Sequence, residues 1–216
     1  IAKTFGSTRA LRGVDFTLMR GEVHALLGRN GAGKSTLVST MSGFTPADTG
    51  TIRIADTEVK ANAQNYAAKI RAGIAHVQQT PQLFNLLTVA ENLFLENPKV
   101  RGKYGLVSHA RTQALAQELL GTWAIDIHAD ALVGELDAGT RQLLEIIKAL
   151  SRGVPVMILD EPTAALSNAE KKILFEQVRA LKAQGVSFIY ISHHLDEIFE
   201  IADVVTILRD GQVVRE

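Results

Sequence analysis

The sequence predicts an α/β fold with a mostly parallel sheet, an antiparallel β part at the N-terminus and an inserted helical subdomain. Three observations carry that prediction. An apolar run at residues 23–27 leads into Gly28-Arg29-Asn30-Gly31-Ala32-Gly33-Lys34-Ser35-Thr36 and then into a breaker-free stretch ending at Gly43, which is strand, loop and helix in succession. Two further apolar runs, 154–159 and 186–191, have the composition of buried parallel strands and end in Asp160-Glu161 and in Ser192-His193-His194. Between residues 81 and 150 the texture changes to helix, at 89–95, 110–120 and 141–150.

The loop at 28–36 fits Gly-x-x-x-x-Gly-Lys-Ser/Thr. Its glycines let successive backbone N–H groups turn inward, and the following helix adds its partial positive charge, so the loop suits a polyphosphate. Lys34 would reach the β- and γ-phosphates, and the Ser35 hydroxyl would ligate Mg²⁺. A glycine-rich surface turn is the plain alternative; the flanking strand and helix favour the phosphate loop.

Composition narrows the function. A chain of 216 residues buries roughly 70% of its extended surface, enough for a stable core. Lysine plus arginine equals aspartate plus glutamate at 23 each, so the basic field that non-specific nucleic-acid binding needs is missing and nucleic acid is not an expected partner. No apolar stretch approaches the roughly 18 residues that span a bilayer, and no secretory signal opens the chain, so a membrane role would be peripheral. Cysteine is absent, which excludes disulfides and cysteine-based zinc sites. The start at Ile1 and the strand-like Val213-Val214 at the other end suggest part of something longer.

In chain order, residues 1–5 and 14–19 are expected to be strands, with 9–13 between them. Phe5, just upstream of the phosphate loop, is either core or a platform for a base. A short strand is expected at 50–55, a helix at 65–71 and a buried strand at 73–77, which delivers Gln78-Gln79 to the carboxyl end where open α/β sheets bind ligands. His76 within it is expected to be packed or hydrogen-bonded. Residues 97–108 suggest a solvated connection, and Trp123 with Ile125 and Ile127 a small core of the helical part. The helix at 141–150 carries Leu143, Ile146, Ile147 and Leu150 on one face. The preceding Leu136-Asp137-Ala138-Gly139-Thr140 supplies Asp137 as an ordinary N-cap. After a phosphate loop, Asp160 is the expected Mg²⁺ partner, and Glu161 beside it can polarise an attacking water. Ser167 and Glu170 have capping-box spacing before a helix that Gly185 stops. His193 follows a buried strand, within reach of a γ-phosphate; His194 begins the next helix. Residues 203–214 close the chain as a hairpin.

Together, in this order and across essentially the whole chain, these motifs resemble the ATP-binding cassette family. GRNGAGKST looks like Walker A, Gln79 like the Q-loop glutamine, VMILDEP like Walker B with its glutamate, and His193 like the switch histidine. Within the family, VAENLFL, RQLLEIIKAL, DEPTAALSNAE and YISHHLDEIFEIADVVTILRDG most resemble the amino-terminal cassette of bacterial monosaccharide importers of the ribose, galactose and arabinose type, which carry two cassettes per polypeptide. The resemblance implies a P-loop NTPase core at 1–80 and 151–216 with a helical subdomain at about 81–150. It implies ATP and Mg²⁺ as cofactors. Phe5 would stack on adenine; Gly28, Arg29, Asn30, Gly31, Ala32, Gly33, Lys34, Ser35 and Thr36 would bind phosphates; Ser35, Gln79 and Asp160 would organise Mg²⁺; Glu161 would polarise water and His193 would hold the γ-phosphate. Partners would be a second cassette closing head to tail, membrane permease subunits docked near Gln79 and the helical insertion, and indirectly a sugar-binding protein. The place would be the cytoplasmic face of the bacterial inner membrane.

One motif departs. Where the family has Leu-Ser-Gly-Gly-Gln, this chain has Leu136-Asp137-Ala138-Gly139-Thr140, an acid in place of the phosphate-contacting serine. A carboxylate about 4 Å from a phosphate charge costs about 1 kcal/mol in water and about 4 kcal/mol at an effective dielectric of 20. The nucleotide site served by this signature, on the partner cassette, is therefore expected to be weak, and the Lys34 site to be active with a signature supplied elsewhere. Ser167 also stands where the family often has aspartate. Soluble cassette ATPases of ribosomes or DNA are the alternative class, disfavoured by the neutral charge and short insertion. A GTP switch or small-molecule kinase is disfavoured further, since no Asn-Lys-x-Asp appears.

Overall fold

The structure is a computed structural model that describes residues 1–60, 63, 66–71, 73–95 and 108–215. The chain forms two compact units: residues 1–76, 154–161 and 181–216 make the first, and residues 77–153 and 162–180 the second.

The first unit holds a six-stranded sheet. Its strands are β3 (Val23–Leu27), β6 (Ile74–Val77), β7 (Val156–Asp160), β8 (Ser187–Ile191), β9 (Val204–Arg209) and β10 (Gln212–Arg215), in the spatial order β10-β9-β3-β8-β7-β6. β3 lies parallel to β8 on one side and to β9 on the other, and β7 is parallel to β8. The central strands are apolar because both sheet faces are covered: all five residues of β8 are buried. The register, with Ala25 opposite Tyr190 and Asp160 opposite Ile191, brings the carboxyl ends of these strands to one edge. Helix α1 (Lys34–Met41) follows β3 and contributes Leu37, Val38 and Met41 to a core that includes Leu26, Ile158, Ile189 and Leu208.

Three hairpins complete the unit. β9 and β10 meet through Asp210 and Gly211, with φ of 49° and 75°, the paired positive values of a tight primed turn. β4 (Thr51–Ile54) pairs with β5 (Thr57–Lys60), and α2 (Tyr66–Arg71) follows. At the N-terminus β1 (Ala2–Phe5) pairs with β2 (Thr8–Arg12), Phe5 opposite Thr8. This corrects the expected strand at 14–19. Val14, Phe16 and Leu18 do alternate with the more exposed Asp15, Thr17 and Met19, but the segment has no regular secondary structure, because alternation reports burial and not pairing.

The second unit is helical, with α3 (Val89–Phe94), α4 (His109–Thr122) and α5 (Ala138–Ser151). Trp123 is buried just past α4, and α5 buries Leu143, Leu144, Ile146 and Ile147. α6 (Asn168–Ala183) runs from this unit into the first, and α7 (Leu195–Ile201) follows β8 in the first. Apart from Ser108, the connection expected at 97–108 lies outside the described residues. No helix among the described residues is long and apolar enough to cross a membrane.

Candidate functional site

The phosphate-loop residues lie between β3 and α1, where local geometry requires glycine. Gly33 has φ 103° as the residue before the helix, and a Cβ there would stand 2.7 Å from the Ala10 carbonyl oxygen. A Cβ at Gly28 would meet the Leu208 carbonyl oxygen at 2.5 Å, so the loop passes too close to β9 for a side chain. No acidic residue occupies the first turn of α1 and no side chain caps it, so its leading N–H groups have neither an intrahelical acceptor nor a capping oxygen. Lys34 folds back over the loop, donating from Nζ to the carbonyls of Gly28 and Arg29. Ser35 and Thr36 sit in the same first turn.

Asp160 ends β7, half-buried beside that loop. Burial pushes its carboxyl above the ordinary range, the charge on Glu161 pushes the same way, and Lys34 opposes them. Such a carboxylate is short of positive charge, and with the Ser35 hydroxyl it offers the hard oxygen donors that suit Mg²⁺. Glu161 turns the chain off the sheet with φ 46°, an uncommon value for a residue with a Cβ, and its N–H donates to the Ile191 carbonyl at 2.9 Å. That bond ties the end of β7 to the end of β8. His193, two residues past β8, places Nδ1 3.1 Å from Glu161 Oε1. The first unit thus gathers a glycine-rich loop with its lysine, a half-buried aspartate and a glutamate-histidine pair on neighbouring strand ends, the edge at which open parallel sheets bind ligands.

Two further candidate residues are exposed. Phe5 ends β1 with its ring 51% exposed, and Lys3 Nζ stands 5.4 Å from the ring centre. Exposure makes the core alternative untenable. Gln79 is exposed just beyond β6, in the second unit.

The chain belongs to the ABC transporter family. Residues 11–164 match that family, described as "ABC transporter". Solved structures agree: a nucleotide-free ATP-binding cassette from an ABC transporter has a TM-score of 0.81 at 28% identity, covering 100% of this chain and 87% of its own. A dimeric bacterial ABC transporter cassette reaches 0.85 at 26% identity, with 100% and 94% covered. The ribose import ATP-binding protein RbsA of Bacillus subtilis is 44% identical over 214 residues, and RbsA 1 of Burkholderia thailandensis 48%. These alignments take in 99% of this chain but only 43% and 42% of the relatives, so the cassette spans less than half their length.

The cassette's signature helix, α5, lies in the second unit. Asp137 caps it: one carboxylate oxygen accepts from the Thr140 N–H at 2.9 Å and the other from the Thr140 hydroxyl at 2.7 Å. These bonds hold the carboxyl below its ordinary value. A second carboxylate stands close by, since the Glu170 oxygens lie 2.5 and 2.7 Å from where a Cβ on Gly139 would be. Glu170 is fixed there by Ser167, whose N–H and hydroxyl donate to it at 2.7 and 2.6 Å. The Ser167-Glu170 capping box therefore also presses a negative charge onto the signature glycine.

Sequence reasoning missed Asn92. It is 1% exposed, accepts from the Phe84 N–H at 2.8 Å and donates to the carbonyls of Phe84 and Thr88 at 3.0 Å. That shapes the loop holding Phe84 and Leu86, 55% and 91% exposed. An asparagine followed directly by the apolar Leu93 and Phe94 in a helical run was the available signal.

Proposed function

We propose that this cassette binds and hydrolyses Mg-ATP to energise import of a monosaccharide or related small solute, peripherally bound at the cytoplasmic face of a bacterial inner membrane. The observation that carries the reading is the Glu161–His193 contact at 3.1 Å, at the ends of β7 and β8, the latter paired with the strand that delivers the phosphate loop. The loop amides and Lys34 take the β- and γ-phosphates, phosphate oxygens replacing the two carbonyls that Lys34 now contacts. Ser35 and Asp160 would hold Mg²⁺, which would neutralise charge on the phosphates. Glu161 orients and polarises the attacking water, and His193 meets the γ-phosphate. Phe5 stacks on the adenine.

The relatives named ribose import ATP-binding protein support a sugar as cargo. Their greater length supports a second cassette as partner, one whose signature carries a hydroxyl where this chain has Asp137. The exposed Phe84, Leu86, Leu95 and Leu132 on the second unit suit a cytoplasmic helix of a permease subunit, which a sugar-binding protein would load from the other side. No observation favours the ribosome or DNA alternative.

The test is uptake of radiolabelled ribose, galactose and xylose by cells in which the intact protein carries Glu161→Gln. Loss of uptake of one sugar, with growth otherwise normal, is the expected result. Unchanged uptake with co-sedimentation on ribosomes would contradict the reading.

A further inference from the structure

Beneath His193 lies a buried carboxylate to which the hydrolytic scheme gives no task. Glu197, in the first turn of α7, is 6% exposed. Its Oε2 accepts from the Tyr190 hydroxyl at 3.0 Å and from the Ser192 hydroxyl at 3.0 Å. The Ser192 oxygen in turn accepts from the His194 N–H at 3.0 Å. Tyr190 and Ser192 are themselves buried, at 0% and 5% exposed. Residue 193 is thus bracketed, its predecessor fixed by a side-chain bond to α7 and its successor by a backbone bond to that same side chain.

We propose that Glu197 is a positioning residue for His193, holding the 192–194 turn so that the imidazole stays against Glu161. A buried carboxylate is unfavourable unless its oxygens are hydrogen-bonded, so a fold that keeps one needs both hydroxyls in place. That requirement fixes the turn. Tyr190 in β8 and Ser192 just past its end donate to this one acceptor, which therefore locks the strand end and the first turn of the next helix together. Without Glu197, the Ser192 hydroxyl is free to rotate and the His194 N–H loses a fixed partner. His193, 64% exposed on its side chain, otherwise meets Glu161 at 3.1 Å and the His194 ring at a centroid distance of 4.0 Å, and the 192–194 turn sets both contacts. The assignment rests on His193 acting at the γ-phosphate, as proposed above.

A double-mutant cycle on ATP turnover by the intact protein tests it. Glu197→Ala is expected to lower kcat about ten- to hundredfold with KM for ATP held within about twofold, because misplacement harms the reacting geometry more than binding. Glu197→Gln, whose amide oxygen still accepts from both hydroxyls, is expected to restore most of the rate. In a His193→Ala background, Glu197→Ala is expected to have no further effect. If Glu197→Ala does not fold, Ser192→Ala, which breaks the relay and leaves the carboxylate, takes its place in the cycle. Undiminished effects in the His193→Ala background, or equal damage from Ala and Gln with a raised KM, would overturn the positioning role alone. Wild-type turnover by His193→Ala would overturn the reading on which it rests.

Discussion

Nδ1 of His193 lies 3.1 Å from Oε1 of Glu161, and backbone register produces that contact. Asp160 pairs with Ile191 across β7 and β8, the Glu161 N–H closes onto the Ile191 carbonyl, and the two chains leave the sheet side by side. The imidazole thereby fixes the carboxylate beside the end of β8. Replacing His193 by alanine removes both this contact and the proposed phosphate donor. Single-turnover hydrolysis is expected to slow about 10²-fold or more, with ATP binding changed only severalfold.

Among the described residues Lys34 donates to loop carbonyls alone, so its loss should leave the fold largely intact. Lys34→Ala is expected to weaken ATP binding about ten- to hundredfold, the effect of losing a charge-assisted hydrogen bond to phosphate, with little change in Tm. Titration with a fluorescent ATP analogue, alongside thermal melts, measures both.

Much of this was legible in the sequence because each piece is local. The phosphate loop is contiguous, and the buried strands β7 and β8 appear as largely apolar runs followed by acids or histidines. The Asp210-Gly211 turn declares itself through a dipeptide suited to two positive φ values. What failed was pairing. β2, Thr8–Arg12, buries only Leu11 fully, and β5, Thr57–Lys60, only Val59, so neither carries an apolar pattern; both are strands because a hairpin partner exists. The start of α5 was placed at 141 while Asp137 caps the helix at Ala138, since nothing in 138–140 is apolar enough to show the period. The Glu197 network escaped because the direction of a side chain buried under a turn depends on how α7 packs.

Asp137 and Glu170 put two carboxylates at the start of the signature helix. Two copies of this cassette are therefore expected to stay apart. With Glu161→Gln slowing hydrolysis, size-exclusion chromatography in Mg-ATP should show a monomer, and adding Asp137→Ser should shift it to a dimer. Serine retains the cap, so the double variant should keep its stability, whereas Asp137→Ala should lose about 1 kcal/mol.

His76 is the clearest pH-sensitive element. It packs edge-on against Phe44 at 6.0 Å, and neither ring nitrogen has a hydrogen-bond partner among the described residues. Burial lowers its pKa to about 4. Unfolded, the ring takes up a proton near pH 6.5; folded, it stays neutral until about 4. Stability is then full above about pH 6.5, falls as pH drops toward 4 and levels off below. The loss is at most about 3 kcal/mol and nearer 1–2 kcal/mol once solvent at the exposed part of the ring is allowed for. Urea melts between pH 4 and 7 should show this limb, and His76→Leu should flatten it.

The measurement closest to the central claim is the steady-state ATPase rate of the intact protein carrying Glu161→Gln. If the site on Lys34 and Glu161 is the working one and the site served by the Asp137 signature is weak, turnover falls about 10²-fold or more while ATP still binds. Retention of half the activity or more would show that another site hydrolyses ATP and would contradict the account.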